Sequence, residues 1–563
     1  MRILLLASAF NSLSQRLHAE LRDRRHTVEV RLAGDDEELR AALRDLAPDL
    51  LLAPMLRTAI PEDVWSALTC LVVHPGPPGD RGPSSLDRAV QEGTADWGVT
   101  VLQAEAEMDA GPVWAWEPCR LPALGKSDLY RNEVADAAVR AALRAVERFA
   151  AGSYAPRPQH GPSWREPVRV RPYLRQEERR IDWAADPTEA VLRRLRAADS
   201  QPGVLDTLAG EAWYLHGGHS EPVLRGRPGE LVATRAGAVC RATADGAVWI
   251  PELRRRRRPG GPETFKLPAV TALGALLPAL PEVPAPLTAE EDGQRTWTDL
   301  EYREEGPVGF LRFSFPGGAM ATDHCRRLLA AYRFALRRPT SVLVLGGGRD
   351  FFSNGIHLNV IEASPDPAAE SWANITAMDD LVAEVLTTTD RLVVAALGGN
   401  AAAGGVMLAL AADEVWCRAG SVLNPHYRLM GLYGSEYWTY TLPRRVGPAR
   451  AERLTQQALP VSAAAAERIG LVDRVLDHGP GEFGPAAARL AGLLAASPAT
   501  PWRIAAKKAA RAADEAAKPL AAYREEELAV MRRQFFTPES PYHALRSAFV
   551  RKHPAPAGLT ART

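Results

Sequence analysis

Cysteine is scarce in this sequence, and no two cysteines lie close together. The chain of 563 residues contains five, and they are widely scattered: Cys70, Cys119, Cys240, Cys325 and Cys417. Without a Cys-x-x-Cys pair, neither a zinc site nor a disulfide framework is expected, and the pattern fits a reducing cytoplasm. We therefore predict no metal site and a cytoplasmic location.

Long apolar runs and an excess of charge are also missing. No apolar segment reaches the roughly 18 residues that a membrane helix needs. Lys plus Arg and Asp plus Glu both number 68, so the net charge is zero. This balance argues against bulk attraction to nucleic acid or to an anionic membrane. We expect small-molecule substrates instead, and the length suggests two to four domains.

The first domain, predicted at residues 1–165, alternates strands with helices. Strands are predicted at 2–9, 27–32 and 49–53, and the helices between them at 13–24 and 37–46. Such alternation indicates an α/β fold with a parallel, Rossmann-like sheet covered by helices. No Gly-x-Gly-x-x-Gly follows the first strand, so a dinucleotide cofactor is not supported.

A histidine and an aspartate stand at the ends of two predicted strands in this domain. His74 follows the apolar run 71–73 where it gives way to a Pro/Gly loop, and a second strand at 98–102 leads to Asp109. Functional groups in open α/β sheets collect at the carboxyl ends of strands. A carboxylate beside a histidine orients the ring and raises its basicity, as acyl transfer requires. We predict His74 and Asp109 as catalytic; the alternative is a surface histidine beside a capped loop.

This region resembles the formyltransferases that use 10-formyltetrahydrofolate. The matching motifs, in order, are His74-Pro75, Arg81-Gly82, Gly98-Val99-Thr100 and Asp109-Ala110-Gly111. The resemblance implies 10-formyltetrahydrofolate as formyl donor. The residues expected to bind folate or coenzyme A in this half are Asn11, Arg81, Ser84 and Ser85.

One position departs from the formyltransferase pattern. The catalytic asparagine of that family, expected two residues before the histidine, is Val72 here. A carboxamide that would polarise the formyl oxygen is therefore missing at this point. Asn11, in the first strand-to-helix turn, is the candidate replacement, and the alternative is a slower or altered site.

Residues 166–285 resemble the second domain of the same formyltransferases. Residues 180–183, Arg-Ile-Asp-Trp, precede a predicted helix, and four short strand-like segments follow it. The resemblance implies a small OB-like β-barrel, as in transferases that act on charged tRNA. Five consecutive arginines stand at 254–258. They are expected either to contact the phosphates of coenzyme A or the polyglutamate tail of folate, or to form a solvated charge run.

A third domain is predicted at residues 301–563, after a linker at 286–300. Residues 352–358 and 393–413 resemble the two signature motifs of the crotonase (enoyl-CoA hydratase/isomerase) superfamily. The resemblance implies a crotonase-like α/β domain with C-terminal helices that binds a coenzyme A thioester. Its oxyanion-type donors would be the backbone N–H groups of Ile356 and Gly404, and glycine lets a ligand approach the backbone closely. Further binding residues are expected at Gly355 and Gly405.

The two glutamates that hydratases use are absent from this domain. Their positions are Met407 and His426, so water addition by paired carboxylates is not expected. A polar and aromatic cluster stands at 426–440 instead, which is either functional or a set of core aromatics. We predict His426, Glu436 and Tyr437 as catalytic, without assigning base and acid between them, and Tyr433 as a binding residue.

The cluster and the His74 loop together resemble a family of maturation proteins for [NiFe] hydrogenases, over nearly the whole chain. The resemblance implies formyl transfer from 10-formyltetrahydrofolate to coenzyme A, then decarbonylation of formyl-CoA to carbon monoxide and coenzyme A. The carbon monoxide would serve the hydrogenase iron, with maturation proteins that carry the iron centre as partners. Two alternatives stay open: a plain formyltransferase acting on a sugar nucleotide or aminoacyl-tRNA, and a non-catalytic folate- and CoA-binding sensor or scaffold.

Overall fold

The computed structural model describes residues 1–159, 168–288 and 296–554. Internal contacts divide the chain into two compact units. Unit 1 comprises Met1–Ser220, Arg225–Glu230 and Arg241–Ile250, and unit 2 comprises Glu221–Leu224, Leu231–Cys240 and Pro251–Thr563. The predicted boundary at residue 165, part of the predicted linker at 286–300 and the end of the predicted third domain lie outside the described residues. The domain limits therefore stay predictions.

Unit 1 begins with a six-stranded sheet covered by helices, as the alternation predicted. The strand order is β2-β1-β3-β4-β6-β7. The strands are β1 (Arg2–Ala7), β2 (Thr27–Leu32), β3 (Leu50–Met55), β4 (Cys70–His74), β6 (Asp96–Gln103) and β7 (Val113–Arg120), while the short β5 (Asp80–Arg81) pairs with β8 (Arg169–Val170). The helices are α1 (Ser12–Asp23), α2 (Asp36–Leu46), α3 (Glu62–Trp65), α4 (Ser85–Glu92), α5 (Lys126–Arg131) and α6 (Glu133–Ala151). Leu5, Leu52 and Val101 are fully buried in its core.

The direction of two strands differs from the prediction. Strands β1 to β4 run parallel, but β6 is antiparallel to β4, and β7 is antiparallel to β6. The expectation of an all-parallel sheet with His74 and Asp109 at equivalent strand ends is therefore wrong. Thr100 lies opposite His74 in the antiparallel register, and Asp109 reaches the histidine from the loop at 104–112. Antiparallel neighbours need no crossover helix, so this loop alone connects β6 to β7.

Short strands follow between residues 204 and 268. They are β9 (Val204–Leu208), β10 (Glu211–His216), β11 (His219–Glu221), β12 (Leu231–Arg235), β13 (Ala238–Ala242), β14 (Ala247–Ile250), β15 (Glu252–Arg255) and β16 (Leu267–Pro268), between helices α7 (Thr188–Ala198) and α8 (Ala269–Leu273). β9 pairs antiparallel with β10, and β15 with β16. The boundary between the two units runs through this segment, and the OB-like barrel stays a prediction. Residues 255–258 of the arginine run are exposed, which fits a solvated charge run.

Unit 2 contains two sheets that bring the crotonase-like motifs together. The strand orders are β17-β18-β19-β21-β23-β26 and β20-β22-β24-β25. The strands are β17 (Leu300–Glu305), β18 (Val308–Phe313), β19 (Val342–Gly346), β20 (Phe351–Ser353), β21 (Leu392–Leu397), β22 (Asn400–Ala402), β23 (Glu414–Arg418), β24 (Val422–Asn424), β25 (Val461–Ser462) and β26 (Arg474–Leu476). Since β20 and β22 are parallel neighbours, the residues after each strand lie side by side.

Helices complete unit 2. They are α9 (Thr322–Leu336), α10 (Leu358–Ala363), α11 (Pro367–Thr387), α12 (Gly404–Leu410), α13 (Trp438–Val446), α14 (Pro448–Gln457), α15 (Ala463–Arg468), α16 (Phe483–Ala496), α17 (Thr500–Ala517), α18 (Leu520–Phe536) and α19 (Pro541–Arg551). The last three occupy the predicted C-terminal helical region, and α11 packs against both α9 and α18. Throughout the described ranges, no helix combines the length and apolar character needed to span a bilayer.

Candidate active sites

His74 ends β4 and is buried between two carboxylates. Its Nδ1 lies 3.5 Å from Oδ1 of Asp109, and its Nε2 lies 3.5 Å from Oδ1 of Asp80. The structure thus brings the predicted pair together and adds Asp80, which the sequence analysis did not single out. A Cβ built on Gly76 would lie 2.5 Å from Nε2 of His74 and 2.9 Å from Oδ1 of Asp80. A side chain at position 76 would therefore displace His74 or Asp80.

Both carboxylates are held by groups outside the histidine. The N–H of Gly82 donates to Oδ2 of Asp109 at 3.1 Å, and Nε of Arg171 donates to Oδ2 of Asp80 at 2.6 Å. The side-chain amide of Gln159 donates to the carbonyl oxygen of Asp109 at 2.8 Å. Asp109 has a φ of 57°, an unfavourable conformation for a residue with a side chain, and these contacts hold it there.

The two carboxylates determine the charge of His74. Burial lowers the pKa of His74, but Asp109 and Asp80 together outweigh it and raise the pKa to about 9. Burial would raise the pKa of Asp109, yet pairing with His74 holds it below its usual range. At neutral pH His74 is therefore an imidazolium, which can donate a proton at once. This charge state suits a proton shuttle better than a free base.

Arg81 and the two predicted serines lie between the end of β5 and the start of α4. One terminal nitrogen of Arg81 donates to Glu107 at 2.6 Å, while its Nε and other terminal nitrogen have no partner among the described residues. The hydroxyl of Ser85 donates to the carbonyl oxygen of Gly82. The hydroxyl oxygen of Ser84 accepts the backbone N–H of Leu174, in the loop after β8. The guanidinium is buried, and binding of a ligand oxygen by its unpaired N–H groups stays a prediction.

Asn11 has a local role in the structure. It is the N-cap of α1, where its Oδ1 accepts the N–H of Ser14 at 3.0 Å, and its Nδ2 donates to the hydroxyl of Tyr130 at 3.2 Å. These bonds use both ends of the amide. Val72 lies within β4 opposite Leu102. Replacement of the missing carboxamide by Asn11 therefore stays a prediction.

The two crotonase-like motifs meet at closely packed glycines. A Cβ built on Gly355 would lie 3.2 Å from the backbone nitrogen of Gly404, and one on Gly405 would lie 2.0 Å from the carbonyl oxygen of Ser353. Within the part of the chain that the structure describes, the N–H groups of Ile356 and Gly404 donate to no protein acceptor. The use of these two N–H groups as oxyanion donors stays a prediction.

Glu436 fills the space beside Gly404. A Cβ built on Gly404 would lie 2.0 Å from Oε1 of Glu436. Its Oε2 accepts the hydroxyl of Tyr427 at 2.7 Å and the N–H of Ser435 at 3.0 Å. A buried carboxyl group therefore stands at the glycine turn, although Met407 occupies one of the positions where hydratases carry glutamate.

Two further buried carboxyl groups surround the segment 435–437. They belong to Asp379 in α11 and Glu527 in α18. Burial first, and then the charge of Asp379, raises the pKa of Glu436 to about 8. Burial raises the pKa of both Asp379 and Glu527 to about 7. At neutral pH Glu436 therefore holds its proton and can serve as an acid.

The other predicted residues of this cluster differ in their surroundings. Tyr437 is buried, and burial raises its pKa to about 12, so the hydroxyl keeps its proton. Burial lowers the pKa of His426 to about 4, and its Nδ1 has no partner among the described residues. Tyr433 is 39% exposed and packs its ring against Trp438. It lies at the surface, and its substrate contact stays a prediction.

Sequence reasoning missed Asp80, Asp379 and Glu527. A signal for Glu527 exists, because it falls on the buried stripe of α18 with Leu520, Met531 and Phe535. A carboxylate on the apolar face of a helix is a candidate functional group. Over the described ranges, no three His, Cys, Asp or Glu side chains are grouped so that they could hold a metal ion.

Family models match three parts of the chain. The model described as Formyl transferase matches residues 29–146, and the one described as Formyl transferase, C-terminal domain, matches residues 173–265. The model described as Enoyl-CoA hydratase/isomerase matches residues 328–552. These matches confirm both resemblances identified in the sequence.

Full-length relatives carry both halves in one chain. Hydrogenase maturation factor HoxX of Bradyrhizobium diazoefficiens is 49% identical over 98% of this chain and 95% of its own length. The chain belongs to the HoxX (HypX) family of hydrogenase maturation factors. This confirms the third resemblance, and the HoxX fold joins a Rossmann-like formyltransferase domain to a crotonase-like domain.

One solved structure matches nearly the whole chain, and one curated relative matches only its first part. The crystal structure of HypX from Aquifex aeolicus, in complex with tetrahydrofolic acid, is 43% identical with a TM-score of 0.94, and the match covers 98% of this chain and 96% of that one. Methionyl-tRNA formyltransferase of Stenotrophomonas maltophilia is 30% identical over 40% of this chain and 73% of its own length. The HoxX family therefore shares its first half with formyltransferases of translation.

Proposed function

We propose that this HoxX-family chain makes carbon monoxide for the iron of [NiFe] hydrogenase. In the first step the formyl group moves from N10 of 10-formyltetrahydrofolate to the sulfur of coenzyme A. A C–S bond forms and the C–N bond breaks, while the thiol loses its proton and N10 gains one. In the second step formyl-CoA loses its formyl proton and its C–S bond breaks, which gives carbon monoxide and coenzyme A. The partners would be maturation proteins that carry the iron.

The His74 site supports the first step. An imidazolium between Asp80 and Asp109 can donate a proton to N10 as the C–N bond breaks, and the neutral imidazole then takes the thiol proton. The buried, incompletely paired guanidinium of Arg81 supplies N–H donors for the folate. The tetrahydrofolic acid bound by the Aquifex aeolicus relative also supports a folate donor.

The observation that carries the proposal is the position of the buried Glu436 carboxyl beside the Gly404 turn. Hydratases use glutamates to add water to a thioester, whereas a carboxylic acid at this turn is suited to protonate the leaving thiolate. The free N–H groups of Ile356 and Gly404 would hold the formyl oxygen. Neutral His426 is the candidate base for the formyl proton, and the hydroxyl of Tyr437 is a second proton donor.

The test is to incubate the purified protein with 10-formyltetrahydrofolate and coenzyme A, and to assay carbon monoxide with a haem trap. We expect carbon monoxide from the wild type and little from Glu436→Gln. Formyl transfer to a sugar nucleotide or aminoacyl-tRNA without carbon monoxide would identify a plain formyltransferase. Binding of both ligands without turnover would identify a sensor or scaffold.

A further inference from the structure

The segment 435–437 has a backbone conformation that residues with side chains rarely adopt. Glu436 has a φ of 60° and Tyr437 a φ of 58°. The left-handed region is sterically unfavourable for residues other than glycine. Two such residues in succession persist only where the surroundings hold them. Helix α13 starts directly afterwards, at Trp438.

Asp379 holds the first half of this turn from α11. Its Oδ1 accepts the N–H of Glu436 at 2.8 Å. Both of its oxygens accept the hydroxyl of Ser435, at 3.0 Å and 2.8 Å. The side chain is fully buried, so these bonds replace contacts with water that the carboxylate has lost. A buried carboxylate with such partners is a strong acceptor.

Glu527 holds the second half from α18. Its Oε2 accepts the N–H of Tyr437 at 2.9 Å, and its Oε1 accepts the N–H of Thr439 at 2.9 Å together with the hydroxyl of Thr439. The first N–H groups of a helix have no intrahelical partner and need an acceptor from elsewhere. Glu527 therefore caps α13 from a different helix, where α13 has no side-chain cap of its own.

Few positive charges balance these acids. The titratable side chains that face Glu436 are the carboxyls of Asp379 and Glu527, the hydroxyl of Tyr427 and the thiol of Cys325. Arg524 lies 3.8 Å from Asp379 but pairs more closely with the exposed Asp380, at 2.6 Å. Three carboxyl groups in one buried cluster favour protonated forms, because like charges cannot all ionise together.

We propose that Asp379 and Glu527 are positioning residues for Glu436. They hold the turn 435–437 in its left-handed conformation and so keep the Glu436 carboxyl against the Gly404 turn. Without them, the N–H groups of Glu436 and Tyr437 lose their acceptors, the turn relaxes and the carboxyl leaves the thioester site. The catalytic consequence rests on the proposed function, whereas the structural consequence does not.

The test uses Asp379→Asn and Glu527→Gln, which keep the shape of each side chain, remove its charge and turn one of its two acceptor oxygens into an NH2 donor. Matched controls are Asp380→Asn and Glu526→Gln, which remove equal charges from the next exposed positions on the same helices. The rate of carbon monoxide release from supplied formyl-CoA is measured against pH for each folded variant. Thermal unfolding checks that the variants fold, and Glu527→Gln carries the test if Asp379→Asn does not fold.

We expect the upper limb of the pH–rate profile to move to lower pH in both positioning variants. A proton donor works only below its pKa, and loss of a neighbouring negative charge lowers the pKa of Glu436. The kcat should fall at least tenfold with little change in KM, and the controls should match the wild type. An unmoved limb in both variants, or an equal shift in the controls, overturns the inference.

A second measurement separates this inference from the proposed function. Infrared pH titration follows the carboxylic acid C=O band that is lost in Glu436→Gln. If the wild type releases no carbon monoxide, the proposed function fails and the infrared measurement alone decides the positioning role. Loss of charge alone lowers the midpoint of the titration, so the band frequency decides. A Glu436 band that moves toward the frequency of a solvated carboxylic acid in Asp379→Asn and Glu527→Gln supports the positioning role, and a band at the wild-type frequency refutes it.

Discussion

Replacing Gly404 with alanine tests where the thioester binds. The added carbon would lie 2.0 Å from Oε1 and 2.6 Å from Cδ of Glu436, and 3.1 Å from Cε of Met378. Ordinary contacts begin at 3.4 Å, so the carboxyl oxygen must retreat by 3.4 − 2.0 = 1.4 Å. The hydroxyl of Tyr427 and the N–H of Ser435 hold that carboxyl. A shift of this size breaks at least one of the two hydrogen bonds.

A lost partner for a buried polar group costs about 1–3 kcal/mol, and each 1.36 kcal/mol is about a tenfold change in rate. We therefore expect Gly404→Ala to slow carbon monoxide release from formyl-CoA by about 10- to 100-fold and to weaken coenzyme A binding in calorimetry. Gly492→Ala is the matched control, because nothing lies within 4 Å of its Cβ position. A folded Gly404→Ala protein with wild-type binding and release would refute the placement of the site.

Three further predictions concern single side chains. His74→Ala should reduce formyl transfer by about 10²–10⁴-fold while carbon monoxide release from supplied formyl-CoA continues; a wild-type transfer rate would exclude the role of His74. Asp80→Asn should lower the pKa of His74 from about 9, because one of two carboxylates that stabilise the imidazolium is lost; an NMR titration with an unchanged midpoint would contradict this. Tyr437→Phe should still consume 10-formyltetrahydrofolate but accumulate formyl-CoA or formate in mass spectrometry, and normal carbon monoxide release would make the tyrosine structural.

Local motifs made much of the molecule predictable from its sequence. The segments around His74 and Gly404 each combine a buried strand with a glycine-rich turn, so a few adjacent residues determine the backbone there. His74 and Asp109 were expected together and lie 3.5 Å apart. The glycines at 404 and 405 were expected to let a ligand approach the backbone, and that approach stays a prediction. In the structure, a Cβ on Gly405 would lie 2.0 Å from the carbonyl oxygen of Ser353, so this glycine also permits close internal packing.

Long-range contacts explain what the sequence did not reveal. The direction of β6 in the sheet depends on its pairing with β4 and β7. The composition of an apolar strand does not indicate whether it runs parallel or antiparallel to its neighbours. Asp379 and Glu527 lie 57 and 90 residues from the turn that they hold. Asp379 is followed by Asp380, and Glu527 follows two other glutamates. The sequence therefore does not show which of the two aspartates is buried, whereas only the spacing of Glu527 from the apolar residues of α18 distinguishes it from its neighbours.

The cap that α18 gives to α13 has a consequence for protein engineering. The residues at 352–358 and 401–405 look like a self-contained thioester pocket, and a shortened crotonase-like fragment could be designed around them alone. Such a fragment, cut before residue 520, would retain both glycine turns but would lack the acceptor for Tyr437 and Thr439. A stand-alone crotonase-like domain would therefore have to retain α18, and a graft of these glycine turns onto another scaffold would need an equivalent buried acid.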